Sequence, residues 1–107
     1  MKRQSYPGIR GNLEIMGYED DGVPHVNIHG DAAGLRSLAK LLETLADVDQ
    51  KTLEGYPDYA REHVHLGPDF QLSLSSHRTI VGRLDDKGTG GFPDTFTPRT
   101  KPYQNAI

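Results

Sequence analysis

One amphipathic segment limits the folds open to this chain more than any other feature. Its apolar residues recur every three or four positions, and at about 100° per residue they form one stripe of a helix: Leu35, Leu38, Ala39, Leu42, Leu45 and Ala46. Leu41 lies at the edge of this stripe, and Asp31 is suited to cap the helix N-terminus. We predict a helix over residues 32–47. A lone amphipathic helix needs an apolar surface to cover, and a sheet is the natural one.

The residues before this helix predict a β-hairpin. A strand begins at residues 13–16, and residues 19–22 end in Asp-Gly, a turn signal. Residues 25–29 then alternate polar and apolar side chains, as half-buried strands do. This alternation predicts that Val26 and Ile28 face the core.

The residues after the helix predict further strands. Residues 62–66 alternate again, with Val64 and Leu66 facing inward. The following stretch fits either two strands or a packed loop followed by one strand over residues 78–84. The second interpretation is slightly favoured.

The predicted fold class is therefore α+β, with the order β-β-α-β-β and one helix packed on a mainly antiparallel sheet. A chain of 107 residues fits one domain. We assign residues 1–84 to this domain and residues 85–107 to a C-terminal tail rich in glycine and proline. The tail is expected to be dispensable for folding, because it contains few apolar residues.

Composition limits the classes of partner. The net charge is −3 without a basic cluster, so no nucleic-acid partner is expected. No apolar stretch approaches the roughly 20 residues that span a bilayer, so no membrane association is expected. The basic N-terminus lacks the apolar region of a signal peptide, which favours a cytoplasmic location.

Four histidines occupy the outward positions of two predicted strands: His25, His29, His63 and His65. A His-x-His pair on a strand can bind zinc if a third ligand converges on it, and Glu14 is a conceivable third ligand. A polar surface that contacts solvent or a partner is the simpler interpretation. Because the chain has no cysteine and no evident convergent ligand, we predict no metal and no other cofactor.

The sequence shows no assembled catalytic site. Ser73, Ser75 and Ser76 are close to His77 in the chain, but no nucleophile-elbow pattern accompanies them. The glycine-rich residues 88–91 lack the Lys-Ser/Thr pair of a phosphate-binding loop. We therefore expect a protein that is not an enzyme.

Two motifs resemble the immunity protein 32 family of bacterial polymorphic toxin systems. The first is residues 28–42, IHGDAAGLRSLAKLL, in which a strand runs through Gly-Asp-x-x-Gly-Leu into a helix. The second is residues 62–66, EHVHL. The resemblance covers roughly residues 12–84. It implies a cytoplasmic α+β protein that neutralises a partner toxin, and it transfers no contact residues.

The expected partner surface combines the open sheet face with the acidic first turn. It consists of His25, Asn27, His29, His63, His65, Glu14, Glu19, Asp20 and Asp21. Complementary charge would speed the encounter of such a surface with a basic toxin. Arg36 and Lys40 on the helix offer an acidic partner a competing site. A metal-binding protein that uses the histidine face and an oligomeric scaffold remain alternatives, and a homodimer is left open.

Overall fold

The fold follows the predicted α+β order. The structure is a computed structural model that describes residues 4–100. Its regular elements, in chain order, are β1 (Leu13–Asp20), β2 (Val23–Gly30), α1 (Ala32–Asp47), a short 3-10 helix (Gln50–Thr52), β3 (His63–Leu66) and β4 (Thr79–Gly82). The bounds of α1 match the prediction. Within this described part of the chain, no helix combines the length and the apolar character needed to cross a membrane.

The strands form two antiparallel pairs, β1 with β2 and β3 with β4. The first pair is a hairpin whose register runs from Leu13 opposite Gly30 to Asp20 opposite Val23. Asp21 and Gly22 close it with φ angles of 51° and 76°. Positive φ at both positions is the requirement of a type I′ turn, which suits the twist of a two-residue hairpin and favours Asp-Gly. The predicted hairpin and its Asp-Gly turn are confirmed.

A loop covers the second edge of β1 and connects the two sheets. Ser73 N donates to Leu13 O, and His77 N donates to Ile15 O, each over 2.9 Å. Ile15 N donates in turn to the hydroxyl of Ser76 (3.1 Å). The chain then enters β4 directly. This agrees with the favoured interpretation of a packed loop followed by one strand.

The core lies between α1 and the two sheets. Its buried cluster consists of Leu13, Ile15, Leu38, Leu41, Leu66 and Leu72. Leu41, predicted at the edge of the apolar stripe, is only 2% exposed, whereas Leu35 and Leu42 are 44% and 40% exposed. The helix is therefore rotated relative to the predicted stripe, and it leaves an apolar flank uncovered.

The prediction that Val26 and Ile28 face the core is wrong. They are 68% and 52% exposed. The alternation itself is correct, because Ile28 lies opposite the buried Ile15 and so on the same face of the sheet. The helix covers the β1 side of this face and leaves the β2 side open.

The N-terminus of α1 is fixed by Asp31 and Asn12. Asp31 Oδ1 accepts from Gly34 N (2.8 Å) and from Asn12 N (3.1 Å), and its Oδ2 accepts from the Asn12 amide (2.8 Å). The hydrogen bond from the Asn12 side chain, followed by those from the two backbone N–H groups, lowers the pKa of Asp31. The predicted N-cap is confirmed, and the same carboxylate also binds the start of β1.

Glycine allows a close approach at this junction. A Cβ atom added at Gly34 would lie 2.0 Å from Asn12 O, and one at Gly30 would lie 2.8 Å from the same oxygen. Neither position leaves room for a side chain. The contact therefore holds the Gly34 side of the helix against β1, which explains the rotation of α1.

Arg83 fixes the C-terminus of α1. Its Nη1 donates to Val48 O (2.8 Å), just past the helix, and to Leu45 O (3.1 Å), which also accepts the capping hydrogen bond from Val48 N (3.4 Å). Asp85 holds the guanidinium through Nε (2.8 Å) and Nη2 (2.7 Å). These hydrogen bonds with Arg83 lower the pKa of Asp85. The buried Gln50 also donates to Asp85 O (2.8 Å).

Residues just beyond the predicted domain boundary are bonded to the loop before β3. Lys87 N donates to Ala60 O and Gly88 N to Asp58 O, each over 2.8 Å. Arg61 Nη2 donates to Gly91 O (3.0 Å). Residues 85–100 form no helix or strand, and residues 101–107 of the predicted tail lie outside the described part of the chain. The boundary at residue 84 stays a prediction.

We expect Gly34→Ala to destabilise the protein by roughly 1–3 kcal/mol, the usual cost of overpacking. In an unobstructed helix the same change stabilises, because alanine is the better helix former. Here the added Cβ would overlap Asn12 O. Chemical denaturation of the variant measures the effect. Gly8→Ala is the control, since nothing lies within 4 Å of its added Cβ. A stabilised Gly34→Ala variant would contradict the role of the close contact.

We expect a chain that ends at Leu84 to be less stable than one that ends at Phe92. The shorter chain leaves the buried Gln50 amide without its Asp85 partner, which costs roughly 1–3 kcal/mol. The longer chain keeps every backbone contact described for residues 85–91 and should match the full-length protein. Thermal and denaturant unfolding of all three chains tests this. Equal stability of the three would place the boundary at residue 84.

Candidate protein-binding surface

The hairpin face opposite the core carries polar and aromatic side chains. Its cross-strand pairs are Glu14 with His29, Met16 with Asn27, and Tyr18 with His25. His25 and His29 are exposed, and Asn27 is half-buried. The rings of Tyr18 and His25 stack with centroids 5.1 Å apart.

The second sheet presents its own exposed histidines. His63 and His65 pack edge to face with ring centroids 5.0 Å apart. The Nδ1–H of His63 donates to Arg61 O (2.9 Å). Ile80, paired with His65 across the strands, is 64% exposed on the same face. Within residues 4–100 no hydrogen bond or ring contact joins these histidines to those of the hairpin.

A loop serine binds Glu14, the last of the predicted partner residues on this face of the hairpin. Ser75 donates a hydrogen bond to Glu14. Ser73 bonds both Ser75 and Ser76 over 2.9 Å, and Ser76 accepts from Ile15 N. Glu14 therefore helps to hold the loop against β1, and only part of its carboxylate remains for a partner.

A groove of about 670 Å³ opens between the outer half of the hairpin and the segment that enters β4. It is lined by Ile15, Gly17, Tyr18, Glu19, Pro24, His25, Val26, His77, Arg78, Thr79 and Ile80. Two predicted partner residues, Glu19 and His25, thus border an apolar depression. The sequence did not indicate His77, Arg78 or Ile80, because residues so distant in the chain meet the hairpin only through the tertiary fold.

The β1 edge is free in part within the groove. Leu13 and Ile15 direct their backbone groups toward the loop, so by alternation Gly17 and Glu19 point the same way. His77 Nδ1 accepts from Gly17 N (3.0 Å). The carbonyl of Gly17 and the backbone groups of Glu19 have no hydrogen-bond partner in the described chain. The groove therefore offers a partner main-chain hydrogen bonds as well as apolar contact.

The acidic turn lies at the outer end of the hairpin. Glu19, Asp20 and Asp21 are exposed. None of the three forms an ion pair among residues 4–100. Glu19 also lines the groove, so the negative charge and the apolar depression are continuous.

No metal site is assembled in the part of the chain that the structure describes. No three histidine, aspartate or glutamate side chains there converge as ligands. The remaining residues, 1–3 and 101–107, contain none of these residue types.

The model of the immunity protein 32 family matches residues 25–84, which is more than half of the chain. The matched span includes nearly all of β2, the junction at Asp31, α1, β3 and β4. No curated protein and no solved structure matches the chain.

We expect the purified protein to contain far less than one zinc ion per chain. Two neighbouring imidazoles on a strand lack the third and fourth ligands that a stable zinc site needs. Elemental analysis after purification without chelator tests this. Stoichiometric zinc that His63→Ala abolishes would contradict the expectation and would assign the histidine face to metal binding.

Proposed function

The chain belongs to the immunity protein 32 family, and from this membership we propose that it binds and neutralises a toxin protein in the cytoplasm without catalysing a reaction. The contact surface in this proposal consists of the groove, the acidic turn, and the exposed histidines of β2 and β3. An inhibitor of this kind acts by occupying the surface that the toxin needs for its own activity.

The groove is the observation that carries the proposal. Binding energy concentrates where an apolar anchor enters a depression that excludes water. Here Ile80 and Val26 supply apolar walls, and Tyr18 and His25 add aromatic rings. The free β1 edge supplies donors and acceptors for a main chain. A protruding side chain or short strand of a toxin would engage the apolar walls, the rings and the free backbone groups together.

The acidic turn supports a basic partner. Its three carboxylates are exposed and have no cationic neighbour within ion-pairing distance in the described chain. Charges at the rim of an interface mainly raise the association rate and exclude partners of like charge. Fast capture suits an inhibitor that must act before its target does.

The bonding of the serines supports a non-catalytic mode of action. The hydroxyls of Ser73, Ser75 and Ser76 are engaged with one another, with Glu14 and with Ile15 N. His77 accepts from Gly17 N and makes no hydrogen bond to a serine in the described chain. None of these three serines therefore forms the serine–histidine pair of a nucleophilic site in the described chain.

A basic depression on the outer side of α1 competes with this surface. It is lined in part by Arg10, Arg36 and Lys40. An acidic toxin would select this side instead. The two surfaces can be separated by mutation because they share no residue.

We expect a groove variant, His25→Ala with Ile80→Ala, to bind a toxin protein, sought among the products of adjacent genes, at least tenfold more weakly than the unmodified protein does. Each anchor at the centre of an interface typically contributes more than 1 kcal/mol. The matched control, Arg36→Ala with Lys40→Ala, should bind within about threefold of the unmodified protein, because charges outside an interface contribute little. Calorimetry measures affinity, and rescue of growth from the toxin measures neutralisation.

Both variants change exposed residues, so circular dichroism should show that both are folded. If only the Arg36 and Lys40 variant loses affinity, the toxin binds the basic side of α1 and the groove proposal is wrong. If the adjacent toxin binds neither the variants nor the unmodified protein, toxin neutralisation itself is contradicted.

A further inference from the structure

The outer edge of β2 is unpaired along its length. Ile28 lies opposite Ile15, and Ile15 directs its backbone toward the loop on the far side of β1. In an antiparallel pair, two opposed residues that exchange no hydrogen bonds both direct their backbone N–H and C=O groups away from the partner strand. Val26 and Ile28 therefore direct their N–H and C=O groups outward, where no part of the described chain meets them.

The same edge carries an apolar surface. Val26 and Ile28 expose more than half of their side chains on the helix side of the sheet. The exposed flank of α1 adjoins them, since Leu35 Cγ lies 3.2 Å from the Cβ position of Gly30, at the end of β2. Leu42 continues this flank about two helical turns further along. Two elements thus leave apolar surface uncovered on the same side of the molecule.

Apart from Pro24 near the turn, nothing in β2 protects this edge. Soluble proteins usually guard an edge strand with lysine, proline, a bulge or an inward charge. Residues 23–30, VPHVNIHG, contain no aspartate, glutamate, lysine or arginine, and their only proline is near the turn. The register with β1 is continuous and without a bulge. The opposite edge of the hairpin is covered by the loop at residues 73–77.

We propose that β2 pairs antiparallel with β2 of a second copy of this chain, about a twofold axis at Asn27. In this register Val26 faces Ile28 of the second copy, and each exchanges both backbone hydrogen bonds with the other. Gly30 N–H faces the carbonyl of Pro24, and this pair forms one hydrogen bond in place of two because Pro24 has no N–H. The strand is thus complementary to its own reversed copy.

A second copy matches this edge better than a charged partner does. The strand and the adjoining helix flank offer apolar side chains and backbone groups, and a copy supplies the same groups in the reversed order. The pairing forms one four-stranded sheet with both helices on one face. The flanks at Leu35 and Leu42 then approach each other above Val26 and Ile28, so the interface continues beyond the backbone ladder.

The dimer extends the proposed toxin-binding surface without depending on it. Joining the hairpins places Asn27 of both copies at the centre of one polar face, with His25 of each copy opposite His29 of the other. Val26 belongs to both surfaces, because its backbone lies in the β2–β2 pairing and its side chain lines the groove. The dimer therefore borders each groove on its β2 side and leaves Tyr18, His77 and Ile80 outside the pairing.

Site-directed cross-linking tests the register directly, because the chain has no cysteine. Asn27→Cys places a thiol opposite its own copy, with Cα atoms about 4.5 Å apart, within disulfide range. His25→Cys is the matched control. In the dimer, position 25 of one copy lies four residues along the strands from position 25 of the other. Their Cα atoms would be roughly 13 Å apart, which no disulfide spans. Under mild oxidation we expect Asn27→Cys to become mostly covalent dimer and His25→Cys to remain mostly monomer.

Sedimentation of the unmodified full-length chain from roughly 1 µM to roughly 1 mM, a range that suits a small interface, should show reversible dimerisation. Ile28→Lys should weaken the dimer at least tenfold, because it places like charges near the axis. Ile80→Lys, at a position that is also exposed but lies on the other sheet, should leave the dimer unchanged. A chain that stays monomeric throughout, or equal cross-linking of the two cysteine variants, overturns the proposal. Loss of toxin binding by Ile28→Lys in a monomeric chain would instead assign this edge to the toxin.

Discussion

The carboxylate of Asp31 joins parts of the fold that would otherwise be independent. One oxygen caps the helix at Gly34 N, and both oxygens bind Asn12 at the start of β1. The missing side chain at Gly34 lets the helix backbone contact Asn12 O. The approach sets the rotation of α1 about its axis. That rotation buries Leu41, exposes Leu35 and Leu42, and leaves the β2 side of the hairpin uncovered.

A second contact fixes the other end of the same helix. Arg83, at the end of β4, reaches the last carbonyls of α1, and Asp85 holds its guanidinium in place. The helix has no basic residue of its own in its last turn. With both ends held by distant parts of the chain, α1 anchors the short β3–β4 pair to the longer hairpin. A sheet of two short strands is marginal alone and needs such packing.

The glycines and the aspartate of the family motif lie at the junction of α1 and β1, away from the proposed groove. Gly30, Asp31 and Gly34 belong to the motif that carries the resemblance, and all three take part in the junction with Asn12. They build this junction of the scaffold. The groove and the acidic turn lie outside the two motifs, whereas the apolar edge of β2 includes Ile28 from the first of them. Family membership thus supports a function class, and in the proposed function the preference for one partner would come from groove residues outside the motifs.

The sequence by itself determined the local elements. Helix bounds, the Asp31 cap and the Asp21-Gly22 turn depend on contacts between residues close in the chain, so periodicity and turn chemistry predict them. Alternation also placed Val26 and Ile28 on the same sheet face as Ile15, and the histidines on the other, although their role as partner residues stays a prediction. Only the tertiary structure decided which part of each apolar face is covered. Periodicity identifies a face, but burial depends on a neighbour that arrives from elsewhere in the chain. The Gly34 contact sets which side of α1 is buried, and the loop at residues 73–77 covers one edge of β1. The groove at His77 and Ile80 results from that packing.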